Sequence, residues 1–347
     1  MRLFLGTATL LVALAGCTGS QPAPLGEPVS IAQTSGTDAL LISAYAVTEN
    51  VVWLSGTNGT VVRTTDGGDS WTAMTVPGAD SLQFRDVHAW SERDALVLSI
   101  GNGADSRIYR TTDGGSTWAQ TWVNDEPDAF YDCLDFWDDR VGFVFSDAVD
   151  GRFRVRRTMD GGVTWTLVPD ANLPPAQDAE GSFASSGTCV SAHGEATAWI
   201  GTGNAETPRL LTSADRGASW TAMTLPLAGG EAAGTATLAI GTSGQAVAAG
   251  GDIGRPAEYD RAVAVTTDGG QTWREGGQLP FTGALYGAAF VPDTEAVLGV
   301  GPGGVALSLD GGNAWRLLSD ETHWGLATVG RTAWLVGPEG RVTRVNF

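Results

Sequence analysis

The chain of 347 residues is too long for one ordinary hydrophobic core, since such cores stop growing near about 250–300 residues. Its formal net charge of −19, with arginine as the only strongly basic residue type, argues against nucleic acid or an anionic lipid surface as a partner. The 48 glycines, 13 tryptophans and many short alternating runs bounded by Gly, Asp and Ser predict an all-β protein.

The first 16 residues predict a secretory signal peptide. After Arg2, the apolar residues 3–14 are too few to cross a membrane as a permanent helix. They lead into Leu14-Ala15-Gly16-Cys17, which resembles the lipobox of bacterial lipoproteins and implies cleavage before Cys17 and its acylation. We therefore expect a lipid anchor that holds the protein to a membrane of the cell envelope, on the periplasmic or extracellular face, followed by a flexible tether over residues 17–27. An ordinary signal peptide with a chance cysteine is the alternative.

One eight-residue pattern, Thr/Ser-x-Asp-x-Gly-x-Ser/Thr-Trp, recurs six times, with Ala314 as its only departure. The copies are Thr64–Trp71, Thr111–Trp118, Thr158–Trp165, Ser213–Trp220, Thr266–Trp273 and Ser308–Trp315. Successive tryptophans lie 42 to 55 residues apart. This spacing fits one four-stranded propeller blade per copy, since such blades take roughly 40–50 residues.

The residue types in this pattern suit a tight hairpin turn, and we call the six copies the aspartate turns. The aspartate can accept hydrogen bonds from its own turn, the glycines allow positive φ, and the tryptophan can cover the hairpin. The pattern resembles the Asp-box, or BNR, repeat of sialidases, sortilin-type receptors and bacterial propellers. We interpret these residues as structural rather than catalytic or calcium-binding: Asp66, Trp71, Asp113, Trp118, Asp160, Trp165, Asp215, Trp220, Asp268, Trp273, Asp310 and Trp315.

Strand patterns before and after each aspartate turn complete the blades. In the first blade they predict strands at about 39–46, 51–56, 60–65 and 71–76. The last 25 residues supply only three strands, and Pro28–Ser35 is an unassigned extended segment that can provide the fourth. Residues 28–347 are therefore predicted to form a seven-bladed β-propeller of four-stranded antiparallel blades, closed by an N-terminal strand.

The long connections between strands all fall on the face opposite the aspartate turns, which we call the loop face. Long loops on a rigid scaffold commonly carry function, so we place a candidate binding pocket there. Its predicted residues are Asp128, Tyr131, Asp132, Asp147, Asp150, Arg152, Glu180, Arg209 and Tyr259. Such a pocket would suit a basic or hydroxylated ligand, or Ca²⁺ at Asp147 and Asp150; the alternative is that these are solvated loop carboxylates and turn residues.

No metal site or cofactor is predicted from the remaining motifs. The three histidines share no ligand spacing, and the Gly299-x-Gly301-x-x-Gly304 match leads into a strand rather than opening a helix. Cys133 and Cys189 fall at equivalent positions of neighbouring inner strands. Equivalent side chains point the same rotational way around the ring, so we expect buried free thiols, although the compartment would permit a disulfide.

Across residues 28–347 the chain resembles the single-domain propellers related to the photosystem II assembly and stability factor, in repeat length, six aspartate turns, an incomplete last blade and a lipoprotein signal. This resemblance implies a non-catalytic scaffold that binds a partner protein during assembly. An arginine-rich binding face is implied as well, whereas here the loop face is acidic, with Arg152, Arg209, Arg255 and Arg261 scattered in it. We expect a monomeric propeller that recognises a protein or other partner through its loop face.

The alternative function is a sialidase-like glycoside hydrolase acting on cell-surface or extracellular glycans. Sialidases need three arginines, a Tyr–Glu pair and an acid, and their early Arg-Ile-Pro motif is missing from this sequence. Other glycosidases need two carboxylates roughly 5–9.5 Å apart across a cleft, for which an acidic face offers many candidates.

Overall fold

The computed structural model describes residues 25–258 and 261–347, in which seven four-stranded antiparallel sheets form a ring, a seven-bladed β-propeller. The predicted fold class is therefore confirmed. Cys17 and the predicted signal peptide lie outside the described residues, and so does Tyr259. Among the residues that are described, no helix is long and apolar enough to span a membrane.

The strands follow the order that the aspartate-turn spacing predicts, with the innermost strand of each blade first. The chain starts with β1 (Val29–Thr34). Blade 1 contains β2 (Leu41–Ala46), β3 (Val52–Gly56), β4 (Thr60–Thr64) and β5 (Thr72–Thr75). Blade 2 contains β6 (Phe84–Ala89), β7 (Ala95–Ser99), β8 (Arg107–Thr111) and β9 (Ala119–Val123). Blade 3 contains β10 (Tyr131–Phe136), β11 (Gly142–Val149), β12 (Arg152–Thr158) and β13 (Thr166–Leu167).

The other four blades repeat this arrangement. Blade 4 contains β14 (Val190–His193), β15 (Thr197–Gly201), β16 (Arg209–Ser213) and β17 (Thr221–Thr224). Blade 5 contains β18 (Ala233–Ile240), β19 (Ala246–Asp252), β20 (Val263–Thr266) and β21 (Arg274–Glu275). Blade 6 contains β22 (Gly287–Phe290), β23 (Val297–Gly301), β24 (Gly304–Ser308) and β25 (Arg316–Ser319). Blade 7 contains β26 (Gly325–Val329), β27 (Thr332–Val336), β28 (Arg341–Asn346) and β1. Two 3₁₀ turns, Gly103–Asp105 and Asp170–Asn172, lie in the connections.

The two ends of the chain close the ring. β1 is the outer strand of blade 7 and pairs antiparallel with β28, from Val29 opposite Asn346 to Thr34 opposite Arg341. The predicted closing strand is therefore confirmed, and it covers the edge that β28 would otherwise expose.

The core is divided into seven apolar clusters, one between each pair of neighbouring blades. Six of these clusters include the tryptophan of an aspartate turn, which packs into the interface with the preceding blade. Trp220, for example, is 5% exposed and packs with Phe143 of blade 3, their ring centroids 5.3 Å apart. Each turn therefore joins a local hairpin to the interface between two blades.

Hydrogen bonds within each aspartate turn hold its conformation. In the first turn the Thr64 hydroxyl donates to Asp66 at 2.7 Å, and Ser70 donates its backbone N–H at 2.9 Å and its hydroxyl at 2.5 Å to the same carboxylate. Gly67 and Gly68 have φ of 73° and 91°, values that glycine adopts without strain. The hydrogen bonds from Ser70 and then Thr64 lower the pKa of Asp66 to about 2, so both carboxylate oxygens are used inside their own turn.

The expectation of free thiols is wrong, because Cys133 and Cys189 form a disulfide with their Cα atoms 6.1 Å apart. Both residues are fully buried. The argument from equivalent strand positions fails because Cys189 lies just before β14 begins at Val190, where a long connection enters the blade. Its side chain does not follow the alternation that orients Cys133 within β10, so it can turn toward the neighbouring blade.

Candidate functional site

The connection between β13 and β14 ends in a segment that crosses the central channel, and we call residues Ser182–Thr188 the channel plug. On one side, the Ser185 and Ser186 hydroxyls donate to the carbonyl oxygen of Tyr286 in blade 6, at 2.9 and 2.7 Å. On the other side, a Cβ atom on Gly187 would collide with the Asp86 carboxyl of blade 2, and φ is 80° there. Contacts with opposite blades mean that the plug lies in the middle of the channel.

The plug contributes to two cavities, one at each mouth of the channel. The loop-face cavity measures about 340 Å³ and is lined by Ser182–Ser185 together with residues of blades 2, 3, 5, 6 and 7. The turn-face cavity opens among the turns that follow the inner strands and measures about 510 Å³, with Gly187 and Thr188 among its lining residues. The two cavities that the plug borders are therefore lined by different residues, and of the predicted pocket residues Asp132 and Asp147 line the loop-face cavity.

Bulges at the start of the inner strands aim side chains into the loop-face cavity. The register of β6, β10 and β18 shifts by one residue at Arg85, Asp132 and Ala236, and all three line this cavity. Bulges characteristically redirect a side chain in this way. Tyr286 and Trp324, which directly precede the inner strands of blades 6 and 7, also line this cavity.

Arg85 is the cationic group of the loop-face cavity. Its guanidinium donates to the carbonyl oxygen of Ala184 at 3.0 Å and to the side chain of Gln83 at 2.8 Å, and it stacks 5.1 Å from the ring of Trp324. No carboxylate of the described residues forms a salt bridge with it. Burial lowers the pKa of Arg85. The cavity therefore contains an arginine without an acidic partner, next to aromatic rings.

Asp132 and Asp147, two of the predicted pocket residues, form a carboxyl pair in the same cavity. Asp132 is 1% exposed, its Oδ2 receives no hydrogen bond from an N–H or hydroxyl of the described residues, and its side chain contacts that of Asp147. Burial, and then the neighbouring carboxylate, raises the pKa of Asp132 well above its ordinary value, and burial raises that of Asp147 to about 6. Two carboxyl groups in hydrogen-bond contact share a proton, and they are closer than a glycosidase pair, which needs about 5–9.5 Å.

Three other predicted site residues are held in structural contacts. Tyr131 is fully buried, and its hydroxyl accepts a hydrogen bond of 2.8 Å from Arg156. Glu180 is 1% exposed and forms a short salt bridge with Arg209, while the Thr202 hydroxyl donates to the same carboxylate at 2.7 Å. Glu180 and Arg209 hold the connection that leads into the plug, whereas Tyr131 is held within blade 3, and none of the three lines the cavity.

The remaining predicted residues lie on the surface away from the cavity. Asp150 forms the tip of the β11–β12 hairpin, with φ of 52° followed by 71° at Gly151, so it is a turn residue. Asp128 is exposed in the connection before β10, and Arg152 pairs with Asp170 at 2.7 Å. The structure therefore separates Asp147 from Asp150. Within the described part of the chain, no three His, Cys, Asp or Glu side chains are grouped as metal ligands.

Sequence reasoning missed the aromatic and cationic residues of the cavity, which are Arg85, Phe130, Phe183, Tyr286 and Trp324. They come from four different blades and from the plug. The available signal was the repeat itself, because Arg85 occupies the same repeat position as Asp132. Aligning all seven inner strands, rather than searching for dense acidic stretches, would have identified this position.

Similar folds are found among solved structures. YCF48 bound to D1 peptide superposes with a TM-score of 0.65 and 14% identity, covering 94% of this chain and 96% of that one. YCF48 from Cyanidioschyzon merolae gives a TM-score of 0.65 and 16% identity, covering 91% and 98%. Virginiamycin B lyase from Staphylococcus aureus gives 0.61 and 13%, covering 92% and 99%. At these identities the likeness concerns the fold alone.

No protein-family model matches the chain, and no curated protein sequence matches it. The similar structures include a protein bound to a peptide and, separately, a lyase. One fold hosting such different activities is common, so function has to be argued from the cavities themselves.

Proposed function

We propose that this protein is a non-catalytic, membrane-anchored scaffold that binds a polypeptide segment of a partner protein in its loop-face cavity. An acidic group of that segment pairs with Arg85, and an apolar side chain packs against the aromatic rings. The lipid anchor at Cys17 would hold the propeller at the outer surface of a membrane, where an envelope protein is accessible to it.

The observation that carries this proposal is the environment of Arg85. A guanidinium without an acidic partner, stacked on Trp324 and largely removed from water, has unused affinity for a carboxylate. Around it, Phe130, Phe183 and Tyr286 offer apolar surface. Pockets that combine apolar walls with a few fixed polar groups are typical binding sites.

Two further observations support a polypeptide as the ligand. Solved YCF48, which has a similar fold, has been captured with a D1 peptide. Residues of several connections, Ile100, Phe130 and Ile253 among them, line the cavity in this chain, so an extended segment would meet loop surface beside it.

Site-specific photo-crosslinking in intact cells tests the proposal. A crosslinking phenylalanine analogue at position 183, in the loop-face cavity, should yield a discrete adduct that protease digests. The same analogue at position 309, which is 56% exposed on the opposite face, should not yield it. Arg85→Gln should reduce the adduct from position 183 about tenfold, because it removes the charge-assisted pair. An adduct that glycosidases digest, or one that forms equally from position 309, would overturn the proposal.

A further inference from the structure

The turn-face cavity has a different chemistry from the loop-face cavity. Its walls are mostly apolar and include Val87, Leu134, Leu238, Ile240 and Phe290, contributed by the inner strands of blades 2, 3, 5 and 6. Its volume of about 510 Å³ is large enough for a small organic molecule. No arginine lines it, and its titratable lining residues are Tyr45, Asp86, His88, Asp135 and Asp293.

Three polar side chains meet in this cavity. Nδ1 of His88 lies 3.3 Å from Oδ1 of Asp135, and the imidazole packs against Tyr45 with ring centroids 4.4 Å apart. Trp90 and Phe136 pack against other sides of the imidazole at 5.0 and 4.9 Å. The histidine is therefore held in one orientation by an acid and by aromatic rings.

Most polar groups around the cavity are already hydrogen-bonded. Asp135 accepts the backbone N–H groups of Phe136 at 2.8 Å and of Ala192 at 2.7 Å, which joins blade 3 to blade 4. The Thr188 hydroxyl pairs with that of Thr237 at 2.7 Å. By contrast, Nε2 of His88 and the hydroxyl of Tyr45 form no hydrogen bond with any residue in 25–258 or 261–347, and each of the two atoms keeps some exposed surface.

These contacts leave one nitrogen of the imidazole for a ligand. Nδ1 of His88 faces Asp135 at 3.3 Å, so Nε2 is the ring nitrogen that remains. Burial, then Asp135 and Asp86, raises the pKa of Tyr45 above its ordinary value, so its hydroxyl stays protonated. The same carboxyl groups make the cavity unfavourable for an anion.

We propose that the turn-face cavity is a second binding site, for an uncharged amphipathic small molecule that donates an O–H or N–H hydrogen bond to Nε2 of His88. The Tyr45 hydroxyl would donate to or accept from the same polar end of the ligand. Its apolar part would pack against Leu238, Ile240 and Phe290. This site is lined by residues other than those of the loop-face cavity and does not depend on a polypeptide partner.

Three naphthalene probes that differ only in their polar group test the proposal, with binding measured by isothermal titration calorimetry at neutral pH. β-Naphthol carries a hydroxyl donor, its methyl ether has none, and β-naphthoate is an anion. β-Naphthol should bind, the methyl ether should bind about tenfold more weakly because one buried hydrogen bond is lost, and the naphthoate should show no binding. Equal affinity for naphthol and its ether, or no binding of naphthol, would overturn the assignment.

Variants of the protein locate the binding. His88→Phe keeps an aromatic ring among Tyr45, Trp90 and Phe136, and should weaken naphthol binding about tenfold while leaving the weak binding of the ether unchanged. Tyr45→Phe keeps the ring contact and provides a second test if His88→Phe does not fold; it should weaken naphthol binding severalfold. Arg85→Gln, in the other cavity, should have no effect. Naphthol binding that is undiminished in His88→Phe or in Tyr45→Phe would contradict the proposal.

Discussion

Oδ1 of Asp147 accepts the backbone N–H of Ser182 at 2.8 Å, and this contact joins the β11–β12 hairpin to the first residue of the channel plug. The other end of the plug leads into Cys189, which is bonded to Cys133 on β10. Blade 3 therefore anchors both ends of the plug, one by a hydrogen bond to a titratable group and the other covalently. A residue predicted as a ligand-binding carboxylate is thus also part of the channel structure.

Asp147→Ala should destabilise the protein by about 1–3 kcal/mol, because it leaves the buried Ser182 N–H without its acceptor. Asp128→Ala is the matched control, since Asp128 is exposed and its side chain forms no hydrogen bond or salt bridge with the described residues. Its free energy of unfolding should change by less than about 0.5 kcal/mol. Urea unfolding of both variants measures the difference, and equal, small effects would mean that Asp147 does not hold the plug.

The Asp132–Asp147 pair should make stability fall as pH rises. The pKa of Asp147 is about 6 in the folded protein, against an ordinary value of 3.8. Above about pH 4 the two carboxyl groups therefore bind more protons in the folded protein than the same groups bind in the unfolded chain. The contribution of the pair is therefore present at low pH and is lost as pH rises through 4 to 6 and beyond.

Asp132→Asn, which is neutral at every pH, should reduce this dependence. Its free energy of unfolding should improve relative to that of the natural protein between about pH 5 and pH 7.5. The aspartate turns, whose pKa values are lowered, lose stability as pH falls, but they are common to both proteins and cancel in the comparison. Two parallel pH profiles would show that the pair holds no extra proton.

Deletion of residues 29–34 should lower the melting temperature of the whole domain rather than fray one end, because β1 forms the outer edge of blade 7 through its pairing with β28. The double substitution Val29→Ser with Ile31→Ser is the control. Both side chains are exposed, at 58% and 46%, so the backbone pairing should survive and stability should change by less than about 1 kcal/mol. An unchanged melting temperature for the deletion would mean that β28 closes the ring unaided.

The fold was predictable because its signal is local and repeated. Each aspartate turn specifies one hairpin within eight residues, and its tryptophan marks one interface between blades. Only the carboxyl groups of the loop-face cavity, Asp132 and Asp147, were predicted. Arg85, Tyr286 and Trp324 were not, because they come from distant blades and their positions are set by bulges and strand starts. The channel plug has no periodic pattern, so neither its path nor the disulfide that follows it could be derived from spacing.

Cys17→Ser should release the protein from the membrane fraction if the predicted lipid anchor is present, because acylation of that cysteine is the only anchor that the sequence suggests. The measurement is the share of protein that sediments with membranes, compared between the natural chain and the variant. Thr18→Ser, one residue along, is the matched control and should leave the distribution unchanged. A correctly processed variant that still sediments would remove the lipoprotein interpretation.

Ala314→Ser should stabilise the protein by completing the sixth aspartate turn. In the other five turns a hydroxyl at this position donates to Oδ2 of the aspartate, as Ser219 does to Asp215 at 2.6 Å. In the sixth turn Asp310 accepts the backbone N–H of Ala314 at 2.8 Å, but no hydroxyl is present at that position. The added hydrogen bond lies at the surface, so its contribution should be small, roughly 0.5 kcal/mol.

The same substitution should further lower the pKa of Asp310, which is already below its ordinary value, because a new donor stabilises the carboxylate. NMR titration of the Asp310 carboxyl measures this shift, and chemical unfolding measures the stability. Ser219→Ala is the reciprocal control and should raise the pKa of Asp215 while costing a similar free energy. At the position before it, the Ser116 hydroxyl of the second turn donates to the backbone carbonyl of Asp113 rather than to its carboxylate, so Ala218→Ser should leave the pKa of Asp215 unchanged. If Ala314→Ser and Ala218→Ser behave alike, the hydroxyl at the seventh position of the turn does not contribute to its stability.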